Sequence, residues 1–501
     1  MAQEPLRVAL NPLDHLPPPT YASGVLYLRL RGTSSFEKVF DFLREALHRT
    51  FVQLPWLGGK VHPVSTGTPG TLEIRHHPVH PDGPRPYQLR FNKLDCFETY
   101  TDLRESAFHP GIFEDEDLTY APFLADLTNG TEVFIAQANF ISGGCILTAA
   151  LCHVVSDGMG LNQVCKIWAA NCQDVQAGNA LLVKPAPEIS DHGILERIWA
   201  EARALRSEQQ IPLKTWTLLG LDPPEGSRES TKTNGLRKNK RARTADTSSS
   251  RGYMKSYIFY MSPESVTTLR KECANEPGAG GVSVNDAISA LVWRCLLKAR
   301  VAARKALGAG TASGDNHHPG DGEDEEDMVL DLPFDGRSYF PDSVPSNYMG
   351  NFSLINRVRL QQSQLVAPSS SIGSVARAIR QIASEATSDA IMNAYTLVKT
   401  ARERRAINLQ NLNIDSNGLM ITSLIALEIT RCCFGDELFE NDGYPEAMRT
   451  LMGTINKTFR YCVILPKKRH GGVEFVANLL DDEADLLLKD EEFERFAVFV
   501  A

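Results

Sequence analysis

His153 and Asp157, four residues apart in the run CHVVSDGMG, have the types and spacing to do chemistry. An imidazole whose unperturbed pKa is about 6.5 can take a proton from a hydroxyl or an amine near neutrality. Asp157 can either orient that ring or tie its loop down through an arginine, and Gly158 permits a sharp turn without a Cβ. Blander readings stay open on these three positions alone. A lone histidine in an apolar segment is often a satisfied core residue, and a His–Asp metal pair lacks a third and fourth ligand nearby in sequence. No G-x-S-x-G elbow, P-loop or G-x-G-x-x-G after a strand occurs, which sets aside a serine hydrolase and a nucleotide site.

The elements around the motif must hold it. EVFIAQANFI, 132–141, then Ser142, Gly143 and Gly144, then CILTAALCHVV, 145–155, predict a strand, a tight turn and a second strand that ends at the histidine. DGMGLNQVCKIWAANC, 157–172, follows with the helical spacing of Leu161, Val164, Ile167 and Trp168. A strand end opening into a loop presents a side chain from a rigid support. FEKVFDFLREALHRTFVQL, 36–54, predicts an amphipathic helix, and SVNDAISALVWRCLLKARVAARKAL, 283–307, a long one with Ser283 or Asn285 as its N-cap. MKSYIFYMS, 254–262, and FRYCVILP, 459–466, predict strands. Strands and helices mixed in both halves mean an α/β or α+β architecture.

A chain of 501 residues is long enough for two domains, and 43% hydrophobic with 23% charged residues is an ordinary globular composition. The stretch 222–252 is rich in Ser, Thr, Gly, Arg and Lys and reads as a disordered linker between domains at 1–221 and 253–501. A Gly-rich, then acidic, stretch at about 308–327 reads as a disordered loop. The basic run LRKNKRAR, 236–243, reads as a charged linker rather than a nuclear or nucleic-acid signal, and His317 and His318 carry nothing specific in an acidic loop. A net charge of −9 argues against nucleic acid as a partner. Ten scattered cysteines without a C-x-x-C pair predict buried thiols in a reducing compartment, hence a cytoplasmic location. No stretch has the roughly 18 apolar residues of a membrane helix.

HVVSDGMG resembles the HxxxDG signature of the BAHD-type, coenzyme A-dependent acyltransferases, and the surrounding sequence is most similar to their fungal, trichothecene 3-O-acetyltransferase-like branch. The likeness spans almost the whole chain. NPLDHLPPPTY, 11–21, resembles the family's opening strand, LPWLGGKV, 54–61, its LPxLAGRV segment, SVNDAISALVWR, 283–294, a second-domain helix, and FDGRSYFPDSVPSNYMGN, 334–351, its D-x-R…Y-x-G-N stretch.

The resemblance implies two chloramphenicol-acetyltransferase-like domains, each a mixed β-sheet flanked by helices, with the active site in a channel at their interface. It implies His153 and Asp157 as the catalytic residues, His153 as general base and Asp157 pinning the loop. Gly158 and Arg337 would be structural, and Thr422 and Asn351 would bind substrate or the oxyanion. The co-substrate would be an acyl-CoA, acetyl-CoA first, with no permanently bound cofactor and no metal. The acceptor would be a small-molecule alcohol of secondary metabolism, and the protein a monomer reacting through a direct ternary complex. Other readings are an N-acyltransferase, a non-catalytic ligand-binding member, and a carrier-protein-dependent condensation enzyme. The last usually has a second histidine where this chain has Cys152. Two motifs depart from the family. Cys433 replaces the Asp of DFGWG, which would have paired with Arg337, leaving Asp436 to substitute, and Leu424 replaces the Trp of TSW in ITSLIA, 421–426.

Overall fold

The computed structural model describes residues 4–501 except 33, 65–69, 181–185, 205–210, 222–251, 279, 311–325 and 401–415. The expected linker at 222–252 lies almost wholly outside the described residues. So does most of the expected loop at 308–327, where the helix Val284–Gly310 runs to its end and the next strand starts at Asp327.

In the first half, the strands Phe134–Ile141 and Gly144–Cys152 pair antiparallel and are buried throughout, because both faces of their sheet are covered. Leu147 and Leu151 face the helices Phe36–Gln53 and Gly158–Gln176, while Ile146 faces Tyr27, Tyr100 and Phe108. The hairpin turn needs its glycines. Gly143 has φ +80°, and a Cβ on Gly144 would lie 2.1 Å from the Tyr100 ring. Ser35 caps the first helix by accepting from the Lys38 N–H, and its apolar face, Val39, Leu43 and Leu47, sits in the core. The indole of Trp168 donates to the Leu43 carbonyl at 3.0 Å, joining the two helices.

The sheet has five strands in the order Ala447–Arg449, Tyr21–Arg29, Gly144–Cys152, Phe134–Ile141 and Leu89–Lys93, the last pair parallel. Its first strand comes from the far end of the chain. Phe434, Phe439 and Met448 also pack into the first core, so a division of the chain at 222–252 does not coincide with the division of the cores.

The second half forms a mixed seven-stranded sheet. Its order is Ser353–Gln361, Asp327–Asp335, Gly418–Ser423, Tyr461–Ile464, Val473–Leu479, Lys255–Met261 and Val498–Phe499. The helices Pro263–Ala274, Val284–Gly310, Ile372–Ala383 and Asp481–Leu487 cover one face. Ser283 caps the long helix, its hydroxyl accepting from the Asp286 N–H. A small antiparallel sheet, Leu6–Ala9, Leu72–His76, Lys60–Pro63 and Thr131–Glu132, completes the first half. The segment 11–21, expected as an opening strand, instead begins with a 3-10 turn, Pro12–His15, and the strand starts only at Tyr21. Asn11 and Asp14 form a reciprocal capping box there, and Pro12 suits the first helical position.

Candidate active site

His153 lies one residue past the strand Gly144–Cys152, and its backbone N–H donates to the Thr20 carbonyl at 2.8 Å. The side chain is half-buried. Nδ1 is enclosed without a hydrogen-bond partner among the described residues, so the ring meets the surface through its Nε2 side. Cys152, just before it, is fully buried and its thiol is pushed up to about 12 by that burial. It cannot supply a thiolate near neutrality.

Asp157 does not orient the imidazole. It is the N-cap of the helix Gly158–Gln176, accepting from the N–H groups of Met159 and Gly160 at 3.1 and 3.3 Å. Its carboxylate also accepts from both terminal nitrogens of Arg337, each at 3.0 Å, and from the Phe352 N–H at 2.9 Å. Five donors leave no lone pair for the ring, so Asp157 serves the site as a positioning residue rather than through contact with reacting atoms.

Arg337 is likewise saturated. Besides Asp157 it donates to Asp335, to the Tyr348 carbonyl and to the Gly350 carbonyl, at 2.7, 2.9 and 2.7 Å. Burial acts against its charge, but the carboxylates of Asp157 and Asp335 overcome it and hold the guanidinium above its ordinary range. The expected pairing of Arg337 with the DFGWG counterpart is therefore replaced. Cys433 donates its thiol to the Asp442 carbonyl, and Asp436 accepts from Gln176 at 2.6 Å, both on the outer side of the helix that Asp157 caps. Because Asp157 satisfies Arg337, the missing DFGWG aspartate strands no charge.

Arg337 belongs to the loop 336–352 between two paired strands of the second sheet, and that loop reaches across to the first half. Ser156 Oγ donates to the Met349 carbonyl in a short hydrogen bond. The closeness explains Gly160, where a Cβ would stand 1.8 Å from Ser156 Oγ and 2.6 Å from the Met349 oxygen. Gly158 differs from expectation. It is the first helical residue, has no positive φ, and a Cβ there would make only ordinary contacts with Leu424 and Leu427, at 3.8 and 3.9 Å.

Asn351 was expected to face substrate, but it is buried and its amide donates to the backbone carbonyl of His153 at 2.8 Å. It also donates to Asp14 Oδ1 at 3.2 Å. Asp14, fully buried, accepts in addition from the N–H groups of Asn11 and Asn351, and the His192 ring lies 3.6 Å away. Sequence reasoning missed Asp14 and His192. The capping box Asn11-x-x-Asp14 was a legible signal for the turn, yet nothing local shows that its carboxylate reaches 337 residues along the chain.

Thr422, near the end of Gly418–Ser423, accepts from the Tyr461 hydroxyl at 2.6 Å. Leu424, two residues on, packs against both the first core and the small cluster that contains Tyr461. Leu424 also borders the start of the helix after His153, 3.8 Å from where a Cβ on Gly158 would stand. One group of possible metal donors occurs among the described residues, Cys295, Asp490 and Glu492, away from this site. Lys298 pairs with both of its carboxylates at 2.5 and 3.0 Å, and Arg294 with Glu492, which makes it an ion-pair cluster.

Two helix-flanked sheets, with the loop 336–352 of the second holding the loop of His153, have the two-domain, chloramphenicol-acetyltransferase-like fold. A trichothecene 3-O-acetyltransferase-like N-terminal domain matches residues 21–172, and a transferase family model matches residues 116–493. The chain belongs to this transferase family, the BAHD-like acyltransferases. Over 99% of its length it superposes on all of F. graminearum TRI101 solved with coenzyme A and T-2 mycotoxin, with a TM-score of 0.73 at 16% identity. It is 28% identical to the isocyanide synthase-NRPS hybrid crmA of Aspergillus fumigatus, over 98% of this chain and 31% of that protein. It is 23% identical to the eremophilane O-acetyltransferase prx11 of Penicillium rubens, over 82% of this chain and 80% of that one. The chain spans about a third of the crmA hybrid and 51% of another curated relative. No helix among the described residues is long and apolar enough to cross a membrane.

Proposed function

We propose that the protein transfers an acyl group, acetyl first, from a coenzyme A thioester to a hydroxyl of a small secondary metabolite, with His153 as general base. The observation that carries this reading is the hold on His153: a half-buried imidazole whose backbone N–H, carbonyl and following loop are fixed from both halves of the molecule. Such fixing keeps a base at a set distance from bound reactants, and positioning of this kind accounts for much of catalysis.

In this mechanism His153 Nε2 takes the acceptor hydroxyl proton as the oxygen attacks the thioester carbonyl carbon. The tetrahedral oxyanion is met by a hydrogen bond from Thr422, a donor of a kind typically worth about 2.7–4 kcal/mol. Collapse breaks the carbon–sulfur bond, and the imidazolium returns the proton to the departing thiolate. No metal step is needed. The acceptor class rests on the relatives and on family membership.

A second reading delivers the acyl group on a carrier protein instead of coenzyme A. The alignment of nearly the whole chain with part of a hybrid synthetase favours it. The same base serves either donor, and an amine in place of the alcohol needs no other residue.

The test is free-thiol release from acetyl-CoA against a panel of hydroxylated terpenoids, alkaloids and polyketides with a few amines. Wild type should turn over with at least one acceptor, and His153→Ala should lose about 10²–10⁴-fold. A His153→Ala protein with wild-type rate overturns the assignment. Acetyl-CoA binding without turnover, together with transfer from an acylated carrier, selects the second reading.

A further inference from the structure

We propose that Tyr461 is a positioning residue for acyl transfer, holding Thr422 so that the threonine's own hydroxyl hydrogen is left to donate to the reacting carbonyl oxygen. The inference rests on the acyl-transfer reading above. Thr422 and Tyr461 stand on parallel neighbouring strands, with Met420 opposite Tyr461 and Thr422 opposite Val463. The tyrosine is therefore displaced by two residues from Thr422, and its long ring crosses that offset to place the hydroxyl 2.6 Å from Thr422 Oγ1.

The direction of this bond decides what Thr422 can do. The geometry of the contact has the Tyr461 hydroxyl donating to Thr422 Oγ1, and burial pushes the phenol up, so it keeps the proton it gives to this bond. A hydroxyl has one hydrogen and two lone pairs. With one lone pair taken by Tyr461, the threonine hydrogen is turned away from the tyrosine, and no acceptor for it occurs among the described residues. Accepting one hydrogen bond also polarises a hydroxyl toward giving a stronger one. A neighbour of this donor on the same stretch reaches the loop of His153. Leu424, two residues beyond Thr422, touches the same small cluster as Tyr461, and its Cδ2 lies 3.8 Å from where a Cβ on Gly158 would stand. The strand that carries Thr422 thus leads, two residues on, to a side chain that borders the first turn of the helix following His153.

The experiment compares Tyr461→Phe, Thr422→Ala, the double variant and His153→Ala in thiol release from acetyl-CoA, to water or to the best acceptor of the panel, with melting temperatures measured alongside. Tyr461→Phe should lower kcat about tenfold or more, leave KM for acetyl-CoA within about twofold, and keep the melting temperature near wild type. The double variant should be no slower than Thr422→Ala, because both changes remove one donor. Wild-type kcat in Tyr461→Phe, a change confined to KM, or fully additive losses overturn the proposal. If Tyr461→Phe unfolds the protein, Thr422→Ser against Thr422→Val decides: the serine variant should be at least tenfold faster, and equal rates overturn it. The two readings fail differently. Wild-type rate in His153→Ala removes the acyl-transfer reading and this inference with it, whereas loss in His153→Ala with none in Tyr461→Phe removes only the inference.

Discussion

Arg337 holds both carboxylate oxygens of Asp157 at 3.0 Å across 180 residues of chain, with both side chains buried. One ion pair thereby ties the hairpin loop of the second sheet to the loop that carries His153. Since all five guanidinium N–H groups and the carboxylate are used in hydrogen bonds, the pair is a joint between the halves.

Breaking this joint from one side should be costly. Arg337→Met leaves Asp157 buried and unpaired, and should destabilise the protein by about 3–5 kcal/mol. Adding Asp157→Asn should recover part of that loss, because the stranded charge goes. Chemical denaturation of the two single variants and the double variant measures it. Equal midpoints for wild type and Arg337→Met would contradict the structural role.

Asn351→Ala should act on rate more than on binding. The amide fixes the His153 carbonyl at 2.8 Å, so its loss frees the turn that carries the proposed base. A fall in kcat of about 10²-fold, with KM for acetyl-CoA little changed, is the expected result, on the scale of small misplacements of a reacting group. Steady-state kinetics on protein with an unchanged circular dichroism spectrum checks it.

The two glycines of DGMG should respond oppositely. Gly160→Ala drives a methyl into Ser156 Oγ and the Met349 carbonyl, and should cost about 1–3 kcal/mol through overpacking. Gly158→Ala meets only ordinary contacts, and should leave the melting temperature near wild type. Thermal denaturation of the two variants side by side distinguishes them.

Acid should loosen the second half through Glu483. This buried carboxylate accepts from both terminal nitrogens of Arg460 at 2.8 Å. Burial raises its pKa, but the Arg460 hydrogen bonds and charge outweigh burial and hold it below the ordinary value of 4.5. A depressed carboxylate contributes stability that is fully present above pH 4.5 and is lost as pH falls below it through the folded value. In Glu483→Gln the stability should therefore fall less steeply below pH 4.5 than in wild type, and melting temperatures from pH 3 to 7 report this.

Much of the fold was legible because its elements follow local rules. Apolar spacing marked the helices Phe36–Gln53, Gly158–Gln176 and Val284–Gly310, and the glycines at 143 and 144 marked the turn before the His153 strand. His153 stood out because an imidazole at a strand end is a local statement. The family signature supplied Arg337 and Thr422, but their partners followed from neither motif nor spacing. Asp14, Asn351 and Tyr461 acquire their partners only where the chain returns to itself.

By itself the sequence determined which residues can titrate, where the main helices and the strands before His153 lie, and that a histidine follows a buried strand. Only the tertiary structure decided that Asp157 is spent on a cap and an arginine, that Asn351 serves a backbone carbonyl, that Gly160 rather than Gly158 is sterically required, and that residues 447–449 complete the first sheet. The reason is physical. Propensity and periodicity act over a few neighbouring residues, whereas buried hydrogen-bond partners are settled by which donors and acceptors the packed sheets leave to be satisfied, and those lie hundreds of residues apart in the chain.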